Sequence, residues 1–172
     1  GDYARYYTAW ARLKLDHLPA ASLGFDALSQ KHLEGYLGQA VEVRRADVAL
    51  EQRDHARAAA ILEALTTRPL LTPEAVLLKL ARAYELSGNK AQAVETYWRV
   101  WVDSALLPEG DAAGEELERR MDKLSDADVN RLADLYFPRQ PDGTRRSRDA
   151  YFDGILKDGT YTYGMGAMIG HA

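Results

Sequence analysis

A chain of 172 residues with 47% hydrophobic and 28% charged residues has ordinary soluble-protein composition and enough apolar material for a buried core. Its net charge of −4 disfavours a nucleic-acid binder, which needs a basic face. Without cysteine there are no disulfides and no thiolate metal sites, and no run of about 20 apolar residues is present to span a membrane. The start at Gly1 rather than Met, with no signal peptide before Asp2, reads as a processed protein or an excised fragment.

The first helix is predicted from about Tyr3 to Asp16, where Tyr3, Tyr7, Trp10 and Leu13 recur at three- and four-residue spacing. Pro19 can open a second helix, which carries Leu23, Phe25 and Leu28 and fades near Gly35. A third spans Tyr36 to Gln52, and a tight turn at Arg53 and Asp54 leads to a fourth, His55 to Thr67. Ala56, Ala58, Ala59 and Ala60 give that fourth helix a small face that lets a neighbour approach. Thr72-Pro73-Glu74 is the clearest helix start: Thr72 as cap, Pro73 in the first turn, and Glu74 at the positive end of the dipole.

That fifth helix runs to Ser87, and Gly88-Asn89 stops it. Its partner, Lys90 to Asp103, is apolar over most of its circumference and so is buried on more than one side. Glu109 to Leu124 reads as a more polar helix, and Ser125 with Asp128 starts another through a capping-box-like pair. Pro138, Pro141, Asp142 and Gly143 then break the run before a short helix at about Arg145 to Leu156 and a glycine-rich tail.

Internal repetition organises these elements. With the register set on the turns at Asp16, Arg53 and Gly88, which lie 37 and 35 residues apart, Ala9, Ala46 and Ala81 coincide. So do Ala21, Ala58 and Ala93; Phe25, Leu62 and Tyr97; and Leu28, Leu65 and Val100. A period of this size in a helix-forming chain predicts stacked helix pairs rather than one closed globule. The expected organisation is three pairs over 1–108, a terminal capping pair over 109–137, and a short helix with a Gly-rich tail over 138–172.

On these residues the chain resembles the tetratricopeptide repeat family. The best unit is Pro73 to Pro108, with Leu77, Leu80, Ala81, Tyr84, Gly88, Ala93, Tyr97 and Val100 at that family's packing positions. The unit from Gln39 departs at Glu42 and Arg45, where the family prefers bulky or apolar groups. The resemblance implies an all-α, right-handed superhelix of antiparallel helix pairs acting as a non-enzymatic protein- or peptide-binding scaffold. The run Tyr97 to Asp103, with Pro108, Ala112 and Ala113, is also similar to helical repeats of bacterial cell-envelope proteins, including the superhelical part of soluble lytic transglycosylases. That likeness implies a periplasmic or envelope location, with the cytoplasm as alternative, and adds peptidoglycan as a partner to test. The catalytic Glu-Ser and Gly-Leu-Met-Gln motifs of those enzymes are absent from this sequence, so it would be a non-catalytic accessory part. A structural subunit of a larger assembly is the third reading.

No residue set promises chemistry. His17, His32, His55 and His171 form no His-Glu-x-x-His motif, and no two lie four residues apart, so no metal and no cofactor is implied. Carboxylate pairs such as Glu115 with Glu116, Asp126 with Asp128, and Glu42 with Asp47 read as solvated helix faces rather than a cleft pair. Gly164 to Gly170 lacks the strand and glycine spacing of a dinucleotide loop, and Arg139, Arg145, Arg146 and Arg148 read as a solvated helix entry.

A groove is the better candidate. In a tetratricopeptide stack the first helix of each pair lines the concave side. The register places Tyr6 and Trp10 there from the first unit, Val43, Asp47 and Leu50 from the second, and Leu78, Arg82 and Glu85 from the third. Aromatic anchors beside a few charges suit an extended peptide or a partner helix. The competing reading packs Tyr6 and Trp10 against a further repeat.

Overall fold

A computed structural model describes residues 1–121, 123, 125–136 and 141–143. Among them the regular elements are all helices: α1 (Asp2–Lys14), α2 (Leu18–Ser29), α3 (Gly35–Glu51), α4 (His55–Leu65), α5 (Pro73–Leu86), α6 (Lys90–Asp103), α7 (Pro108–Met121) and α8 (Asp126–Tyr136). They follow one another as the helix pairs of an α-α solenoid. The helix expected at 145–156 and the tail after it lie outside the described residues. The chain divides into two compact units, the first over Gly1–Thr96 and the second beginning at Tyr97.

The repeat is visible first in the backbone. Asp16, Arg53 and Gly88 all take left-handed conformation, with φ of 61°, 59° and 87°. In each turn the next residue's N–H reaches back to the carbonyl five residues earlier: His17 to Arg12 (2.9 Å), Asp54 to Ala49 (2.8 Å) and Asn89 to Tyr84 (2.8 Å). The left-handed residue itself donates to Leu13, Leu50 or Glu85 at 2.9–3.1 Å. This double bond pattern closes a helix by satisfying its last carbonyls. Left-handed backbone costs about 1–2 kcal/mol at a non-glycine residue, so Asp16 and Arg53 adopt it only because the next helix must turn back here.

Packing repeats with the same register. The four aligned columns of alanines, Phe25/Leu62/Tyr97 and Leu28/Leu65/Val100 are at most 2% exposed. In the first unit α1 packs on α2, α2 on α3, α3 on α4 and α4 on α5, and α1 also meets α3. The alanines allow this closeness. A Cβ added to Gly24 would stand 2.8 Å from that of Ala9, so α1 and α2 touch almost backbone to backbone. Around that contact Tyr6, Phe25, Leu28, Val41 and Val48 form one apolar cluster. In the second unit Trp98 and Trp101 meet edge to face at 5.4 Å, and Arg120, held by Glu116 at 2.6 Å, lies over the Tyr97 ring at 5.2 Å.

Three local expectations are corrected. The second helix ends at Ser29, not near Gly35, because His32 turns left-handed (φ 51°). The fourth ends at Leu65, where the Thr66 and Thr67 hydroxyls donate to the carbonyls of Glu63 and Ala64 instead of pointing away. Thr72 makes no cap bond to α5. Its hydroxyl accepts from Gln39 Nε2 at 2.7 Å, while Gln39 Oε1 accepts the Leu71 N–H at 2.7 Å, so the α3 amide clamps the loop. Ser125 does cap α8, its Oγ accepting the Asp128 N–H at 3.2 Å.

Candidate interaction face

Three first helices of pairs, α1, α3 and α5, carry a strip of side chains at repeat-equivalent positions. One column is Tyr7, Arg44 and Lys79; the next is Trp10, Asp47 and Arg82, each again 37 and 35 residues apart. The contacts between helices run diagonally from one column to the other. The Arg44 guanidinium lies over the Trp10 ring, 4.9 Å from its centroid. One repeat on, Lys79 of α5 reaches Asp47 of α3 in the same diagonal sense. Arg44 Nη1 also donates to Asp47 Oδ2 at 2.6 Å, joining the two diagonals. The result is a continuous strip from Trp10 through Arg44 and Asp47 to Lys79.

Arg44 and Lys79 share the one carboxylate of Asp47, which leaves the strip with one net positive charge. Burial alone would lower the Arg44 pKa, but hydrogen bonds to Tyr6 and Asp47 outweigh it and hold the guanidinium above its ordinary value. The Asp47 side chain is 14% exposed and saturated by two cations. Cation–π stacking fixes the Arg44 fork over the indole. The Trp10 Nε1 hydrogen is buried without an acceptor among the described residues, an unsatisfied donor at the floor of the strip.

The residues singled out from the sequence fall as follows. Tyr6 is 8% exposed and part of the core cluster; its hydroxyl accepts from Arg44 Nε at 3.4 Å. Trp10 is half-buried, 6.2 Å from the Tyr6 ring. Asp47 is brought to Trp10 through Arg44. Val43, Leu50, Leu78 and Glu85 are half-buried, and Arg82 is exposed. Sequence reasoning passed over Arg44 and Lys79, the two residues that tie the strip together. The signal was available, since both share a register column with Tyr7, which is 57% exposed and packs edge-on against Tyr6 at 5.4 Å.

A second polar network lies on the other edge of α3 and accounts for its departure from the repeat pattern. Arg45 donates to Asp26 (2.8 Å), Ser29 (3.0 Å) and Glu42 (2.8 Å), Ser29 donates to Glu42, and Arg57 of α4 approaches Asp26 at 3.4 Å. Arg45 ties α3 to α2 by its ion pair with Asp26, and Glu42 by the hydrogen bond it accepts from Ser29.

Among the described residues no three His, Asp or Glu side chains gather as a metal site would require, and no helix is long and apolar enough to cross a membrane. His17 precedes α2, and His55 Nδ1 lies 3.1 Å from the Leu86 carbonyl. His171 and the arginines at 139, 145, 146 and 148 lie outside the described residues.

Comparison with known proteins agrees with this geometry. Residues 75–100 match the family model of the tetratricopeptide repeat, a segment that covers most of α5 and α6 with the Gly88 turn between them. No curated protein matches the sequence. The chain thus carries a tetratricopeptide-like helical repeat.

Proposed function

We propose that the α1–α3–α5 face is a docking surface for a protein partner, presented as an extended peptide or a helix. The observation that carries this reading is the continuous strip Trp10–Arg44–Asp47–Lys79, flanked by exposed Tyr7 and Arg82. A prearranged floor of aromatic and paired charged groups binds without first ordering its own side chains, which lowers the entropic cost of association. Tyr7 and Trp10 serve as apolar anchors, with Val43, Leu50 and Leu78 along the floor, and Arg82 and Glu85 set the register of the partner's charges. Tetratricopeptide repeats are typically non-catalytic binding modules, and this chain is read in the same way.

The finer placement is in the bacterial envelope, with an accessory part of a cell-wall lytic enzyme and an assembly subunit as the alternatives. The residues behind the envelope likeness are largely packing residues: Tyr97, Trp98, Val100 and Trp101 are all buried. They speak for a shared way of stacking helices more than for a shared ligand. A lysozyme-like domain encoded in the same gene would favour the accessory reading.

Quantitative pull-down tests the face. Tyr7→Ala combined with Arg82→Glu is expected to lose partners that wild type retains, by about tenfold or more. Ala60→Glu, on an exposed position of α4, should retain them. Both substituted residues of the first variant are exposed, so helicity measured by circular dichroism should be unchanged. Equal recovery by all three proteins would reject the face.

A further inference from the structure

A second groove, of about 440 Å³, lies between α1 and α2, and no residue of α3 lines it. Its walls are Arg5, Thr8 and Arg12 from α1, Gly24 and Ala27 from α2, and Lys31 from the turn that follows α2. No carboxylate lines it. Asp2 stands beside it, bonded by Lys31 and 3.9 Å from Arg5, which lowers the Asp2 pKa. Arg5 is 68% exposed at its side chain, and Arg12 is exposed too. A chain with net charge −4 therefore presents a cationic groove with a floor of very small residues.

The fold already shows how it covers a paired-helix groove, for α3 packs on both α1 and α2. A floor of Gly24, Ala27 and Thr8 admits a helix at short distance. The complement to the cationic rim is found on the chain itself. On α7, Asp111, Glu115 and Glu118 are exposed and, at four- and three-residue spacing, share one helix face. The ion pairs described on α7 run instead to Glu116, from Arg119 and Arg120. Asp111 and Glu118 are seven residues apart, as are Arg5 and Arg12, so both charge pairs span about 10 Å along their helices.

We propose that α7 of a second copy of the chain seats in this groove, its Asp111–Glu115–Glu118 stripe against Arg5, Arg12 and Lys31. The surfaces involved are different ones, so the contact is heterologous, and each copy keeps one groove and one stripe free for the next. Association is head to tail and weakens as salt screens the exposed charges.

Sedimentation of the intact chain tests this with two charge-reversed proteins. Wild type is expected to gain mass with concentration at about 50 mM salt and to lose that gain at about 300 mM. Arg5→Glu/Arg12→Glu makes groove and stripe both acidic, and Asp111→Lys/Glu118→Lys makes both basic. Each alone should associate at least about tenfold more weakly than wild type. Mixed in equal amounts they should associate again, because each groove now meets a stripe of opposite sign. All four substituted side chains are exposed, and matching circular dichroism spectra check that both variants fold. The proposal is overturned by a wild type that stays monomeric, by variants that associate as wild type does, or by a mixture that does not recover. A monomeric wild type whose groove instead captures a labelled Glu-rich peptide would assign the groove to a foreign partner, and that too overturns it.

Discussion

Replacing Phe25 by alanine is expected to destabilise the first unit by about 3–5 kcal/mol, the range for a fully buried aromatic. Phe25 is 0% exposed, meets Tyr6 edge to face at 5.8 Å, and lies in the cluster where α1, α2 and α3 converge. Removing the ring leaves a cavity between three helices whose alanine contacts already fix their separation, so little collapse can relieve it. Urea unfolding should show the loss as a lowered midpoint. Leu23→Ala is the matched control, since Leu23 is on the same helix but 73% exposed, and its effect should stay within about 0.5 kcal/mol. Similar losses for both would mean that Phe25 is not the core residue of this packing.

The second large effect is expected at Gly38, in the first turn of α3. In a free helix alanine is favoured over glycine by about 1 kcal/mol. Here the sign should reverse. A Cβ at position 38 would stand 1.8 Å from the Leu33 carbonyl oxygen and 2.7 Å from its carbon, and neither backbone atom can rotate away. Leu33 is itself packed against the core cluster, so relieving the clash drags apolar contacts with it. Gly38→Ala should therefore cost about 1–3 kcal/mol or more, the usual penalty of overpacking. A raised unfolding midpoint would show that the α2–α3 loop does not run where it is described. Gly110 plays the matching part at the start of α7, where a Cβ would meet the Ser104 carbonyl oxygen at 2.1 Å.

The buried columns were legible in the sequence because burial and periodicity are the same signal. Ala9, Ala46 and Ala81 are all at most 1% exposed, as are Phe25, Leu62 and Tyr97, so small and large buried positions each recur with the repeat. The turns were legible for a related reason, since one left-handed residue must stand where each pair folds back. Surface pairing was less so. Arg44 and Lys79 read as ordinary solvated charges until the helices are placed, because their partners lie on a neighbouring helix and one column across. Glu42 and Arg45 depart from the repeat pattern, and only the positions of Asp26 and Ser29 explain them. Thr72 satisfies the rule for a helix cap, yet Gln39, 33 positions earlier, takes its hydroxyl. Local rules rank the candidates for a hydrogen bond, and tertiary neighbours choose among them.

Amide hydrogen exchange of the intact chain reads out whether one helix-pair unit recurs with a single turn geometry. The N–H groups of His17, Asp54 and Asn89, each bonded to the carbonyl five residues back, should be protected together and more strongly than the exposed amides beside them. Exchange at unprotected rates by any of the three, while its flanking helices stay protected, would mean that the three turns are not equivalent and that no single unit recurs.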